Sequence, residues 1–152
     1  MLSVTLCAIL PRATGAKAKA IQPLLDDYTT RLARYALCET QLAENEAAFL
    51  EWLEKTSSRT PSYLVLLDSR GKQLSSEEIA EAIGRVRDSG TQRIVFAIGP
   101  ADGWSAAARA RANLTLAFGR ITLPHQLARV VLAEQVYRAF TILAGHPYHS
   151  GH

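Results

Sequence analysis

Apolar residues recur with two spacings along the chain, and the two alternate from end to end. Residues 2–10, LSVTLCAIL, form a continuous apolar run of strand length. Between 17 and 35 the spacing becomes helical, with Ile21, Leu24, Leu25, Tyr28 and Leu32 on one face. Residues 36–43 again suit a strand, and 44–56 an amphipathic helix carrying Phe49, Leu50 and Leu53. The run SYLVLL at 62–67 is apolar without alternation, the mark of a strand covered on both faces. Ser75-Ser76-Glu77-Glu78 opens a helix to about residue 89; either serine can cap it, and the acids suit the positive end of the helix dipole. RIVFAI at 93–98 is another covered strand, 104–111 a short helix, and 113–123 holds a last strand, with FGRITL read as its buried end. Strand and helix in alternation predict an α/β fold on a parallel sheet.

The final segment, from about Gln126, predicts a long helix of unusual character. Its polar residues Glu134, Arg138 and Thr141 make one narrow stripe, and residues 130–133 are apolar around a full turn. Such a helix must be covered on several sides. The sheet can cover one side, and a second subunit would serve for another.

Length and composition narrow the class. A chain of 152 residues with 48% hydrophobic and 20% charged content is that of one ordered globular domain, 1–152, without repeat or linker. The opening apolar run has no Lys or Arg before it, and Pro11-Arg12 follows at once, so it predicts a first strand and not a signal peptide. No run approaches the roughly 18 apolar residues of a membrane span, so a cytoplasmic protein with no membrane partner is expected. Cys7 and Cys38 have no metal-type spacing and are expected as buried free thiols of a reducing compartment. His146, His149 and His152 lack the thiolate or carboxylate help that zinc takes, so no metal is expected.

Charge is unevenly placed. Five acids and no base lie between Glu39 and Glu54, whereas from residue 89 onward six arginines face only Asp102 and Glu134. A basic half suits a phosphate-bearing partner. Three strand ends offer a ligand site, at VLLDSRGK, VFAIGPADGWS and FGRITLPH, because ligands of parallel sheets bind where such ends converge. Gly99 and Gly103 allow tight turns and close approach of a ligand. No GxGxxG or GxxxxGK[ST] cradle is present, which removes the usual dinucleotide and P-loop readings.

Three of these stretches carry a resemblance. LLDSRGK, IGPADG and ITLPHQLARVVLAEQVYRAFTILAGHPYH resemble, in sequence and spacing, the RlmH (YbeA-type) ribosomal RNA methyltransferases of the SPOUT class, over residues 64–149. The resemblance implies an α/β parallel-sheet SPOUT fold with a C-terminal deep trefoil knot, a homodimer, and S-adenosyl-L-methionine as cofactor. It implies methylation of N3 of a pseudouridine in the helix 69 loop of 23S rRNA on the assembled ribosome. Carried over by position, the cofactor residues are Leu67, Gly99, Phe118, Gly119, Arg120, Ile121, Thr122 and Leu123. Such a reaction needs two partners held in line and a route for the N3 proton. The candidates are His149 as proton acceptor, Tyr148 beside it, and Arg138 as stabiliser of the anion. Each also has an ordinary role open to it: Leu67 and Leu123 in core packing, Arg138 in an i,i+4 pair with Glu134, His149 in a frayed tail. His125 is read as lining or capping the last helix.

Three departures from the family pattern keep other readings open. Pro100 stands where a second glycine is usual, and it lacks a backbone donor. Ser150-Gly151-His152 follows Tyr-His in place of Lys or Arg. The acidic ENEAAFLEWLEK stands where relatives carry lysines, which leaves Arg109, Arg111, Arg120 and Arg129 for RNA contact. The first two suit a non-catalytic ribosome- or RNA-binding module; the third suits a SPOUT methyltransferase acting on another RNA.

Overall fold

The computed structural model describes residues 1–10 and 15–151. Five strands, β1 (Ser3–Ile9), β2 (Leu37–Ala43), β3 (Tyr63–Gln73), β4 (Arg93–Ile98) and β5 (Leu114–Ala117), alternate with five helices. The helices are α1 (Gly15–Leu32), α2 (Glu46–Ser57), α3 (Ser76–Asp88), α4 (Ala106–Arg111) and α5 (His125–Leu143). All strand pairs are parallel, in the order β2-β1-β4-β3-β5. The alternation of apolar runs therefore produces the expected parallel α/β sheet. The opening apolar run is an inner strand, between β2 and β4. The Pro11-Arg12 corner lies outside the described residues. Among the described residues no helix is long and apolar enough to cross a membrane.

Helices cover both faces. Leu6, Ala8, Val65, Ile94 and Phe96 of the sheet meet α1, α3 and α5 on one face. Cys7, Leu64, Leu66, Val95 and Ala97 meet Phe49 and Leu53 of α2, Trp104, and Ala108 of α4 on the other. Leu25 and Leu32 of α1 are buried as the helical spacing predicts, but Leu24 is 48% exposed. Helix starts follow side-chain caps: Asn45 accepts from Ala48 N–H, and Ser75 with Glu78 forms a capping box. Both cysteines are free, and burial pushes the Cys7 thiol up to about 12 and Cys38 to about 11. Such thiols stay protonated and unreactive at neutral pH.

The apolar last helix is covered within its own chain. It packs on the sheet between α1 and α3, burying Val130, Leu132, Ala133, Val136, Tyr137, Ala139 and Phe140. Burial of α5 thus requires no second subunit, contrary to the sequence argument; the two flanking helices supply the missing side.

Two segments depart from the periodicity. β3 does not end at Leu67 but continues to Gln73. Leu67 and Lys72 both stand opposite Leu116, so residues 68–71 loop out between them. At Gly71 a Cβ would lie 2.6 Å from backbone atoms of Thr115 and Leu116, so only glycine lets the loop return against β5. Conversely, β5 stops at Ala117. Phe118 to Leu123 is an irregular loop and not a buried strand end; Gly119 turns the chain at φ +98°, and Ile121 is 72% exposed. The short helix predicted from residue 104 begins at Ala106, because Ser105 caps it and Trp104 is 2% exposed in the core beneath.

Candidate functional site

The looped-out segment of β3 after Leu67 and the C-terminal ends of β4 and β5 frame a cavity of about 670 Å³. Its walls are segments 67–70, 98–103 and 116–119, the loop residues Ile121 to Leu123, and His125 and Ala128 of α5. Trp104 ties the 67–70 segment to the loop after β4. Its indole N–H donates to Leu67 O (3.1 Å), and its backbone N–H donates to Asp68 Oδ2 (3.0 Å). Arg70 adds a strap: Nε and Nη2 donate to the two Asp68 oxygens, and Nη2 also donates to Trp104 O, each at 2.8 Å. Gly103, at φ +88°, closes a turn by donating to Pro100 O (2.9 Å). Pro100 therefore serves this turn with its carbonyl, which proline retains.

Asp68 is the electrostatic centre of this wall. Its side chain is only 1% exposed, while Arg70 is half-exposed. The Arg70 guanidinium, aided by the Arg70 and Trp104 backbone N–H groups, holds the carboxyl well below its ordinary value. A depressed carboxyl contributes stability above its unfolded value of about 4 and loses it as pH falls. Asp68→Asn is therefore expected to destabilise the chain by about 1–3 kcal/mol at pH 7. The gap to the parent should narrow in acid below about pH 4. Urea unfolding at several pH values checks this; a gap independent of pH contradicts the charge assignment.

The sequence-derived cofactor residues gather here. Leu67, Gly99, Phe118, Gly119, Ile121, Thr122 and Leu123 all line the cavity. Arg120 is exposed and is not a lining residue. Gly99 has no positive φ; glycine is needed because a Cβ would lie 2.7 Å from Trp104 Nε1. His125 lines the cavity and donates from Nε2 to Gly99 O (3.1 Å), which leaves Nδ1 as a buried acceptor without a partner among the described residues. Burial lowers the His125 pKa, keeping the ring neutral. The volume lies in the range of about 300–1,000 Å³ usual for small-molecule sites. Apolar walls with irregular backbone and one orphaned polar atom fit S-adenosylmethionine.

The catalytic candidates form a second cluster, and none of them lines the cavity. Glu134 and Arg138 of α5 pair at 2.8 Å with both side chains mostly buried. Tyr148 donates its hydroxyl to Glu134 (2.7 Å), and its ring lies 4.9 Å from the Arg138 guanidinium. His149 is not frayed. Arg138 Nη1 can only donate, so His149 Nδ1 accepts (3.0 Å), and Nε2 carries the proton given to Glu77 Oε1 (2.6 Å). Burial pushes the Glu134 carboxyl up, but hydrogen bonds from Arg138 and Tyr148 outweigh it and hold it below its ordinary value. Burial and Glu134 raise the Tyr148 phenol, so it remains a donor at neutral pH. His146 Nδ1 accepts from Tyr148 N–H (3.1 Å), and His152 lies outside the described residues.

Sequence reasoning missed Arg70, Trp104 and Glu77. The Asp-x-Arg spacing at 68–70 was a usable signal for the strap. Nothing in the sequence joins Glu77 to His149, which meet only because α3 and α5 are neighbours on one sheet face.

A parallel sheet whose loops enclose a cavity of this size, with the last helix lining one side, is an architecture that binds a small-molecule cofactor. The family described as "Predicted SPOUT methyltransferase" matches residues 10–149. The ribosomal RNA large subunit methyltransferase H of Koribacter versatilis (strain Ellin345) is 51% identical over 136 residues, which is 90% of this chain and 92% of that relative. The namesake from Brucella anthropi is 59% identical over 86 residues, which cover 57% of this chain and 54% of that relative. The chain belongs to the ribosomal RNA large subunit methyltransferase H family of SPOUT methyltransferases. Solved structures agree on the fold. The SpoU methyltransferase AviRb of Streptomyces viridochromogenes, in complex with AdoMet, aligns with TM-score 0.52 at 13% identity, over 90% of this chain and 57% of its own. A probable methylase family protein of Haemophilus influenzae Rd KW20 aligns with TM-score 0.57 at 12% identity, over 97% and 71%.

Proposed function

We propose that this chain methylates large-subunit ribosomal RNA with S-adenosylmethionine, at N3 of a pseudouridine in the helix 69 loop of 23S rRNA on the assembled ribosome. The observation that carries this reading is the cavity built from the family's cofactor segments in a chain 51% identical to a large-subunit rRNA methyltransferase. The cofactor, when bound, supplies the sulfonium methyl. The chain's part is to hold the cofactor and the base in line and to receive the N3 proton. Arg138 is the candidate stabiliser of the imide anion, a role that requires its release from Glu134 or His149, which engage all three of its guanidinium nitrogens. His149 can accept the proton only after Nδ1 leaves Arg138, because both its nitrogens are engaged in the closed tail. Tyr148 acts as a hydrogen-bond donor and not as a base.

The same reading takes the chain as one domain, 1–152, working as a cytoplasmic homodimer with a knotted C-terminal segment. An apolar groove of about 500 Å³ along Leu10, Ala20, Pro124 and Leu127, with Leu127 49% exposed, supports the dimer. A monomer in light scattering at micromolar concentration would count against it.

The deciding experiment is transfer of labelled methyl to ribosomes that lack the modification, with free 23S rRNA in parallel and mass mapping of the product. Label on helix 69 pseudouridine, from ribosomes only, is expected. No label from a folded chain that binds the cofactor would leave a binding module or another RNA substrate.

A further inference from the structure

The acidic segment at 39–54 leaves RNA contact to arginines elsewhere, and their surroundings separate them. Arg129 is 7% exposed and bonded to Gln126. Arg109 has its Nε buried, and Arg111 is held by Glu54 of α2. Arg93 begins β4, at the end of the sheet opposite the cavity, and stacks over Trp52. Arg138 belongs to the tail cluster. Arg120 differs from all of these. It is exposed and has no hydrogen bond or ion pair among the described residues, while its neighbours Gly119 and Ile121 both line the cavity.

Arg70 has a similar position on the adjoining loop. It lines the cavity, its side chain is 48% exposed, and only Nε and Nη2 are used by Asp68 and Trp104. Nη1 has no partner among the described residues. Lys72, exposed on the same strand, adds charge to this edge. The acid on the rim is Asp102, exposed in the loop after β4. The mouth is therefore basic on its β3–β5 side and acidic on its β4 side.

Resting on the rRNA methyltransferase reading above, we propose that Arg70 and Arg120 form a phosphate-binding rim that holds the RNA backbone beside the target nucleotide. Guanidinium groups take phosphate oxygens in planar, charge-assisted pairs, and the outer edge of each of these two is available. Asp102 repels a backbone laid across the other side of the mouth, which fixes the path along the β3–β5 edge. Ile121, next to Arg120 in the chain, lines the cavity, is 72% exposed and offers apolar surface to a base entering there.

Each phosphate contact releases counterions and contributes about 0.7–0.9 to the slope of log affinity against log salt. The test is binding of the full chain to intact ribosomes as KCl rises from about 50 to about 200 mM, for the parent, Arg120→Ala, Arg120→Lys and Arg70→Ala. Arg120→Ala should weaken binding roughly three- to tenfold and lower the slope by about 0.7–0.9. Arg120→Lys should keep the slope. Arg70→Ala should show the same loss of slope, together with weaker cofactor binding because the strap is cut. Parent-like affinity and slope in both alanine variants overturn the rim, as does a parent whose ribosome binding is indifferent to salt. If the parent binds with the expected slope but transfers no methyl, the rim stands and the methyltransferase reading fails.

Discussion

Replacing Gly99 with leucine is expected to remove most of the chain's affinity for S-adenosylmethionine. A Cβ at this position falls 2.7 Å from Trp104 Nε1 and 2.9 Å from two further indole atoms. Trp104 cannot yield cheaply, because it is 2% exposed, packs on Phe49, and donates to Leu67 O and Asp68 Oδ2. Moving it separates the β3 and β4 loops that wall the cavity. Overpacking of this kind costs about 1–3 kcal/mol. If that cost falls on the binding-competent loop arrangement, affinity drops roughly 5- to 150-fold. Calorimetry with the cofactor measures it. Trp104→Ala provides the control: with the indole gone, adding Gly99→Leu should change affinity little, a strongly non-additive pair. Equal losses from Gly99→Leu in both backgrounds would show that the glycine serves the ligand directly and not Trp104.

Glu134→Ala is expected to release the tail. This carboxylate accepts from Arg138, from the Tyr148 hydroxyl and from Gln135. Truncation leaves a mostly buried guanidinium without its acid, and removing one partner of such a pair costs about 3–5 kcal/mol. Tyr148 loses the acceptor of its hydroxyl in the same step, and His149 loses the fixed position of Arg138. Urea unfolding should register the lost stability, and proteolysis or amide exchange should show the last residues opened. Methyl transfer should fall far more than cofactor binding, because the cluster stands apart from the cavity walls. A matching fall in cofactor affinity would mean that the cluster supports the cavity instead of the chemistry.

The elements that sequence fixed well are those governed by local periodicity. The apolar run predicts a strand over 93–98, and β4 spans Arg93–Ile98; α3 is capped by Ser75, one of the two serines expected to cap it. The three segments singled out as candidate strand ends do meet at one cavity. The misreadings lie where a distant segment decides. LLDSRGK reads as the end of a strand, yet β3 runs on because β5 offers it partners on both sides of the loop at 68–71. FGRITL reads as buried strand, yet β5 lies at the sheet edge and Gly119 turns the chain away.

By itself the sequence determined the alternating parallel fold, the family and the segments that wall the cavity, because periodicity, caps and long motifs are properties of adjacent residues. Only the tertiary structure decided that α5 is covered by α1 and α3, that Gly99 exists to admit Trp104, and that His149 rests against Glu77 with both nitrogens engaged. These are contacts between residues far apart in the chain. Their energies depend on which helices share a sheet face, and no local pattern records that.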